Sequence, residues 1–130
     1  MSRISETLRQ QVIDRAKGRC EYCCLPDRVG FFSHEVDHVI AVKHDGSTTL
    51  ENLAYACWRC NRYKGSDLGS FDPKTGKFCL LFNPRRQLWD ENFTMEEGEI
   101  LGKTAAGRTT AKLLKFNTAE RIQERQLIDD

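Results

Sequence analysis

Two Cys-x-x-Cys pairs, Cys20 with Cys23 and Cys57 with Cys60, are the residues of this chain best suited to metal chemistry. The two thiolates of such a pair lie on one tight turn and can reach the same tetrahedral zinc ion, and two pairs complete its coordination. Four sulfur ligands leave no open position for water, so the pattern predicts a structural Zn²⁺. Cys24 is an alternative ligand in place of Cys23.

An acid–histidine step, Asp37-His38, lies between the two cysteine pairs, and two asparagines follow it at Asn52 and Asn61. The pairs are separated by 33 residues, so a folded segment must lie between the zinc ligands. A histidine near a strand end is more often a structural hydrogen-bonding residue than a base. Its position between two metal-binding pairs nevertheless indicates that the zinc scaffold carries a reactive site.

The elements that position these residues follow from the apolar pattern and the turn residues. Ser5 to Lys17 is predicted to be a helix, because its apolar residues recur at helical spacing between an N-cap serine and Gly18. Runs of β-branched and aromatic residues predict strands at 31–32, 35–42 and 53–56. A helix is predicted from Asn61 to about Gly65.

The pattern changes after Gly69. Residues 78–82 are a predicted strand, residues 89–95 and 99–101 a predicted hairpin, and residues 109–116 and 118–128 two predicted helices. Helices and antiparallel strands in this order predict an α+β fold. We expect a single domain over residues 1–130, with a core at about 19–66 and a C-terminal extension at about 70–130.

Residues 19–65 resemble the HNH endonuclease family, whose fold is the ββα-metal or His-Me finger. Four elements in order carry the resemblance: Cys-x-x-Cys, Val36-Asp37-His38-Val39-Ile40, Asn52-Leu53 and Cys57-x-x-Cys60-Asn61-x-x-Lys64. A looser likeness to the C-terminal part of standalone bacterial HNH proteins rests on Asn83-Pro84-Arg85, Trp89, Phe93 and Gly107-Arg108.

The resemblance implies a role for each residue of the predicted site. His38 would be the general base that activates water, and Asn52 would pin the loop between the two strands by backbone hydrogen bonds. The family name expects histidine where this chain has Asn61, as in a His-Asn-Asn variant whose acid and last asparagine coordinate Mg²⁺. Asp37 and Asn61 would therefore hold Mg²⁺ or Mn²⁺, which prefer hard oxygen ligands.

The implied reaction is hydrolysis of DNA phosphodiester bonds to 5′-phosphate and 3′-hydroxyl ends. Duplex DNA is the expected substrate, and RNA stays open. Arg62 and Lys64 would bind flanking phosphates, and His44 is either a further phosphate contact or a solvent-exposed residue. Two alternatives are a zinc module that binds nucleic acid without cleaving it and a zinc-stabilised protein-interaction domain.

Composition sets the outer limits of these hypotheses. The net charge is +1, but residues 57–115 carry 11 Lys and Arg against 7 Asp and Glu, a mildly basic block that suits a phosphate-facing surface. No apolar stretch reaches the roughly 20 residues that cross a bilayer, and the first residues lack an apolar signal core. We therefore expect a cytoplasmic protein with reduced cysteines, which gains specificity as a homodimer or from a partner protein.

Overall fold

The computed structural model describes residues 3–128, which divide into two compact units. The first unit comprises the chain up to Ser66 together with Asn83–Arg86. The second comprises Asp67–Phe82 and the chain from Gln87 onward. The expected single domain over 1–130 stays a prediction.

The first unit begins with helix α1, Glu6–Ala16. The Ser5 side chain accepts a hydrogen bond from the backbone N–H of Leu8, and the left-handed residues Lys17 and Gly18 end the helix. The predicted helix and its cap are therefore confirmed. Its buried face carries Val12, which packs in the core of this unit.

Two short antiparallel strands and a helix follow: β1 at Glu35–His38, β2 at Leu53–Ala56 and α2 at Trp58–Lys64. Their register places His38 opposite Leu53. The core of this unit is formed by Val12, Val36, Leu53 and Tyr55. Short 3₁₀ turns at Val42–His44 and Leu50–Asn52 lie in the connection between the strands. This is a ββα arrangement, as the resemblance implied.

Three sequence-based boundaries in this unit are wrong. The first strand ends at His38 instead of Val42, because the backbone groups of Ile40 bond to a side chain instead of a neighbouring strand. Residues 31–32 form bends and no strand. Helix α2 starts at Trp58 instead of Asn61, because the Cys57 Sγ caps it by accepting from the N–H of Cys60.

The second unit contains two hairpins and three helices. In chain order these are β3 (Gly69–Phe71), β4 (Phe78–Leu80), α3 (Trp89–Asn92), β5 (Phe93–Glu96), β6 (Glu99–Gly102), α4 (Ala105–Leu113) and α5 (Ala119–Gln126). Strand β3 pairs with β4, and β5 pairs with β6. The core residues include Phe82, Phe93, Ile100, Leu114 and Phe116.

The predicted hairpin and the two C-terminal helices of this unit are confirmed, with shifted ends. Helix α4 starts at Ala105 instead of Thr109, because the Thr104 side chain caps it by accepting from the N–H of Gly107. Residues 89–92 are helical, so the hairpin itself begins at Phe93. The predicted α+β class is confirmed. Within residues 3–128, no helix combines the length and apolarity that a bilayer crossing requires.

Candidate metal centre and active site

The four predicted zinc ligands converge in the first unit. All four are buried, and the sulfur atoms of Cys20, Cys23, Cys57 and Cys60 lie within 4.8 Å of one another. The Sγ atoms of Cys23 and Cys57 are 3.6 Å apart. Thiolates bound tetrahedrally to zinc at about 2.3 Å lie roughly 3.8 Å from each other. The cluster therefore fits a structural zinc ion in both donor type and spacing.

Backbone N–H groups around the cluster donate hydrogen bonds to its sulfur atoms. The N–H groups of Tyr22 and Cys23 both lie 3.4 Å from the Cys20 Sγ, and the N–H of Cys60 lies 3.4 Å from the Cys57 Sγ. Burial raises the pKa of the Cys20 and Cys60 thiols well above the usual value. A bound cation is what would make thiolates favourable in so buried a place.

Cys24 lies outside this cluster. It is half-buried and adopts a left-handed backbone with φ of 70°, directly after the ligand turn. Its backbone N–H bonds to the carbonyl of Cys20, at 3.0 Å, and so closes that turn. Cys23, and not Cys24, is the second sulfur of the cluster.

His38 is the last residue of β1. Its Nε2 lies 2.9 Å from the Oγ1 of Thr48, in the connection between the strands. Its backbone carbonyl accepts a hydrogen bond from the Lys64 Nζ at 3.2 Å. Asp37 and His38 are the last two paired residues of β1, opposite Ala54 and Leu53. Thr48 has no sequence signal that would have singled it out.

Asp37 is desolvated but has a cation nearby. Its side chain is 29 % exposed, and its Oδ2 lies 4.0 Å from the Lys64 Nζ. Burial raises the pKa of Asp37 above its usual value, although Lys64 and the N–H of His38 act in the opposite direction. A second cation facing this carboxylate would therefore be favourable.

Lys64 lies inside the site and not at the surface. Only 3 % of its side chain is exposed, and its ammonium group contacts the Asp37 carboxylate and the His38 carbonyl. The sequence predicted that Lys64 binds a flanking phosphate, and that role stays a prediction. The observed contacts instead connect the last turn of α2 to the end of β1.

Asn61 lies on α2, one turn before Lys64. Its Nδ2 donates to the Oε2 of Glu35 at 2.5 Å. Glu35 and Asp37 alternate along β1 and so share one face of the strand. On α2, Asn61 contacts Glu35 and Lys64 contacts Asp37. Helix α2 therefore covers this face of the strand. The bond to Glu35 occupies the nitrogen end of the amide and leaves its oxygen, Oδ1, as a metal donor.

Asn52 closes the loop that follows β1. Its Oδ1 accepts from the N–H of Ile40 at 2.9 Å, and its Nδ2 donates to the carbonyls of Ile40 and Ser47 at 2.9 and 2.8 Å. The loop also depends on Gly46, where an added Cβ would lie 1.7 Å from the Ile40 oxygen. Any other residue at position 46 would displace the backbone that Asn52 holds.

The other two predicted nucleic-acid contacts are at the surface. His44 is exposed, and its Nε2 lies 3.2 Å from the carbonyl of Ser66. Arg62 is exposed on α2, between Asn61 and the buried Lys64. The structure thus connects Lys64 to Asp37 and to the backbone of His38, and connects Asn61 to Glu35, while His44 and Arg62 face solvent.

Comparison with known families identifies this segment. Residues 20–67 match the model of the HNH endonuclease family, a match that covers less than half of the chain. The matched segment contains both cysteine pairs and the residues Asp37, His38, Asn52 and Asn61. The predicted resemblance is confirmed over this range, and the family implies nuclease activity. No curated protein and no solved structure matches the chain.

Proposed function

We propose that the protein is a metal-dependent endonuclease that hydrolyses DNA phosphodiester bonds. The main support is one juxtaposition inside the segment that matches the HNH model. The end of β1 presents Asp37 and His38, and α2 places Asn61 on the strand face that carries Asp37. The buried cysteine cluster connects the start of α2 to the chain before β1, and so holds these elements together.

Asp37 and Asn61 are the residues that would hold a Mg²⁺ or Mn²⁺ ion. The donor set fits, since a carboxylate and an amide oxygen are hard ligands and Mg²⁺ keeps several waters or substrate oxygens. Glu35 orients the Asn61 amide by taking its N–H, and Lys64 partly balances the desolvated Asp37. When bound, the ion supplies Lewis acidity to the phosphate and charge stabilisation to the leaving oxygen.

His38 is the general base of the proposed reaction. It takes a proton from water as the water oxygen bonds to phosphorus and the bond from phosphorus to the 3′-oxygen breaks. Solvent then protonates the 3′-oxygen, which gives 5′-phosphate and 3′-hydroxyl ends. The Thr48 hydroxyl holds the ring through Nε2. In the tautomer whose Nε2–H donates to that hydroxyl, the Nδ1 of His38 has the lone pair that accepts the proton.

Exposed polar side chains of this unit would bind the substrate backbone. Arg62 and His44 are the candidates, since both reach solvent. Lys64 has a different role in this proposal, because its ammonium group is buried against Asp37. It positions the metal ligand and balances its charge.

Cleavage of supercoiled plasmid tests the proposal. Wild type should nick or linearise DNA with Mg²⁺ or Mn²⁺, and His38→Ala should be slower by about 10²–10⁴-fold. His44→Ala should cost far less, because this surface histidine would contact only a flanking phosphate. The divalent ion should be removed by dialysis and restored by adding Mg²⁺, because a strong chelator would also strip zinc. Zinc content and thermal unfolding must be equal in all variants.

Two results would contradict the proposal. One is undiminished cleavage by His38→Ala. The other is no cleavage by zinc-loaded wild type on duplex, nicked, branched or single-stranded DNA with Mg²⁺. DNA binding that persists without cleavage would identify a non-catalytic zinc module, and cleavage of RNA alone would reassign the substrate. Absence of DNA binding at any salt concentration would favour the protein-interaction domain.

A further inference from the structure

An open groove of about 620 Å³ lies in the first unit, beside the start of β2. It is lined by Arg15, Leu50, Glu51, Pro84, Arg85 and Arg86. Three guanidinium groups and one carboxylate give this lining an excess of positive charge. The side chains come from the end of α1, from the turn before Asn52 and from residues 84–86. We refer to this feature as the arginine groove.

Two of the guanidinium groups are fixed by the same backbone oxygen. Arg15 donates to the carbonyls of Leu50 at 2.7 Å and Leu53 at 2.6 Å. Arg85 donates to the carbonyl of Leu53 at 3.1 Å and to the carboxylate of Glu21. Each guanidinium has five N–H donors, so these bonds orient the two groups and leave further donors for a ligand.

The charges in the groove favour an anion. Burial and the neighbouring Arg85 lower the pKa of Arg15, although Glu21 and Glu51 act in the opposite direction. The partly buried Glu21 pairs with Arg85, and Glu51 is exposed. Arg86 is exposed and adds a third guanidinium at the same surface. A phosphate suits such a lining, because paired guanidinium donors match its oxygens in a bidentate way.

The groove adjoins the candidate active site along the chain and across the strands. Leu53, whose carbonyl holds both arginines, pairs with His38 in the sheet. Leu50 and Glu51 directly precede Asn52, which closes the catalytic loop. The Val39 N–H donates to the Asn52 carbonyl, so at the neighbouring His38–Leu53 position the Leu53 carbonyl faces away from β1. The two arginines are therefore anchored on the edge of β2 opposite β1, one strand away from His38.

We propose that the arginine groove binds a backbone phosphate of the DNA strand, one that flanks the phosphate to be cleaved. The inference rests on the proposed nuclease function and deepens it. It gives the substrate a second point of attachment, which would set the direction of the strand across His38. Phosphate contacts of this kind position the nucleic acid and carry no sequence information.

Salt-dependent DNA binding tests this proposal, with Arg86→Glu as the first variant because Arg86 is exposed. The background is His38→Ala, so that affinity is measured without cleavage. The logarithm of the binding constant should fall with the logarithm of salt, and losing one phosphate contact should reduce that slope by about 0.9. Affinity should fall by a similar factor on duplexes of unrelated sequence.

Arg9→Glu is the matched control. Arg9 is also a partly exposed arginine of the first unit, on α1, but it does not line the groove and its neighbour is Glu6. The same charge reversal there should leave the slope unchanged. Zinc content and thermal unfolding should match wild type in both variants.

Arg85→Lys separates geometry from charge. It keeps the positive charge but loses the planar fork that reaches Leu53 and Glu21. In the catalytically competent protein it should raise KM with little change in kcat, as expected for a contact made equally in the bound and transition states. A fall in kcat with unchanged KM would instead show that Arg85 only supports the fold near His38.

The groove proposal is overturned if Arg86→Glu and Arg9→Glu have the same affinity and salt slope, or if the His38→Ala protein does not bind DNA at low salt. Binding without cleavage by wild type would remove the nuclease proposal and leave the groove in place. If Arg86→Glu weakens binding to RNA but not to DNA, the assignment of the ligand to DNA is wrong.

Discussion

The two units of the molecule are stabilised in different ways. The first has an apolar core around Val12, Val36, Leu53 and Tyr55, next to a buried cluster of four cysteines. The second has an aromatic core, in which the ring centroids of Phe82 and Phe116 lie 5.2 and 5.7 Å from that of Phe93. Small apolar cores rarely stabilise a fold by themselves and are commonly supplemented by metals. We therefore expect the first unit to depend on a bound metal ion more than the second.

Buried charge is also handled differently. In the second unit Arg108 forms a two-point ion pair with buried Asp72, with distances of 3.0 and 2.8 Å. Arg121 and Arg125 of α5 donate to backbone carbonyls between α4 and α5. In the first unit Lys64 lies 4.0 Å from Asp37, and burial still raises the pKa of that carboxyl. Arg85 and Glu21 show that the first unit also forms a close ion pair. Under the proposed function, the looser pairing of Asp37 would leave its carboxylate available to a metal ion.

Removing zinc should produce the largest difference between the units. The chain has two tryptophans, and each unit contains one, Trp58 in the first and Trp89 in the second. Trp58→Phe and Trp89→Phe proteins thus report on one unit each. Cys60→Ser should abolish the folded signal of Trp58, because structural zinc supplies on the order of 10 kcal/mol or more to small zinc folds. The Trp89 signal should persist.

Cys79→Ser is the control for that experiment, since Cys79 lies in the second unit and outside the zinc cluster. Stoichiometric zinc in wild type and its loss in Cys60→Ser should accompany the fluorescence change. Simultaneous loss of both tryptophan signals would show that the second unit depends on the first.

Truncating the aromatic core should destabilise the second unit and leave the first unit nearly unchanged, the reverse of zinc removal. Phe116 is fully buried against Phe93. Phe116→Ala should cost about 3–5 kcal/mol, the usual range for removing a buried aromatic side chain. Denaturant unfolding followed through Trp89 should shift to lower midpoint, while zinc content and the Trp58 transition should stay close to wild type. An equal shift in both reporters would refute independent stabilisation.

Acid should weaken the second unit through Asp72. The Arg108 guanidinium holds the pKa of that carboxyl well below its usual range. Its contribution to stability is therefore complete above the unfolded pKa of about 3.9 and is lost as pH falls through the lower folded value. Asp72→Asn should destabilise the unit at pH 6, as measured through Trp89, and the difference from wild type should shrink in acid. A difference independent of pH would disprove the assignment.

Alkali should produce a smaller effect in the first unit, through Tyr55. Burial and the hydrogen bond to Asp27 raise the pKa of Tyr55 to about 12. The contribution of the neutral Tyr55 hydroxyl to stability is complete below the unfolded pKa of about 10 and is lost as pH rises towards 12. Tyr55→Phe should cost about 0.5–1.5 kcal/mol at neutral pH. The difference in free energy of unfolding between Tyr55→Phe and wild type, followed through Trp58, should shrink as pH rises. A difference that stays constant with pH would contradict this prediction.

Local sequence signals predicted much of the fold. Ser5 and Gly18 bracket α1 because capping depends on neighbours a few residues away. The end of β1 was missed, since the run from Val39 to Val42 has strand propensity but the Ile40 backbone is held by Asn52, 12 residues away. Propensity describes a residue and its neighbours, and a distant side chain overrode it here.

The candidate site likewise combines features that the local sequence predicts with features that depend on distant residues. The cysteine spacing and the resemblance predicted the zinc ligands, and the structure brings those four residues together. The burial of Lys64 and the bond between His38 and Thr48 had no local pattern, because each depends on a partner distant in the sequence. For Arg85 the sequence left a contact with the DNA backbone and an exposed turn equally open, and nothing local indicated its bonds to Leu53 and Glu21.

The inclusion of Asn83–Arg86 in the first unit has a consequence for synthesis on the ribosome. All four cysteines precede residue 61, so a nascent chain can bind zinc early. The bonds from Arg85 to Leu53 and Glu21 must wait until Asp67–Phe82, which belong to the second unit, have been made. Translation therefore passes through a stage in which the zinc cluster is complete and the arginine groove does not yet exist.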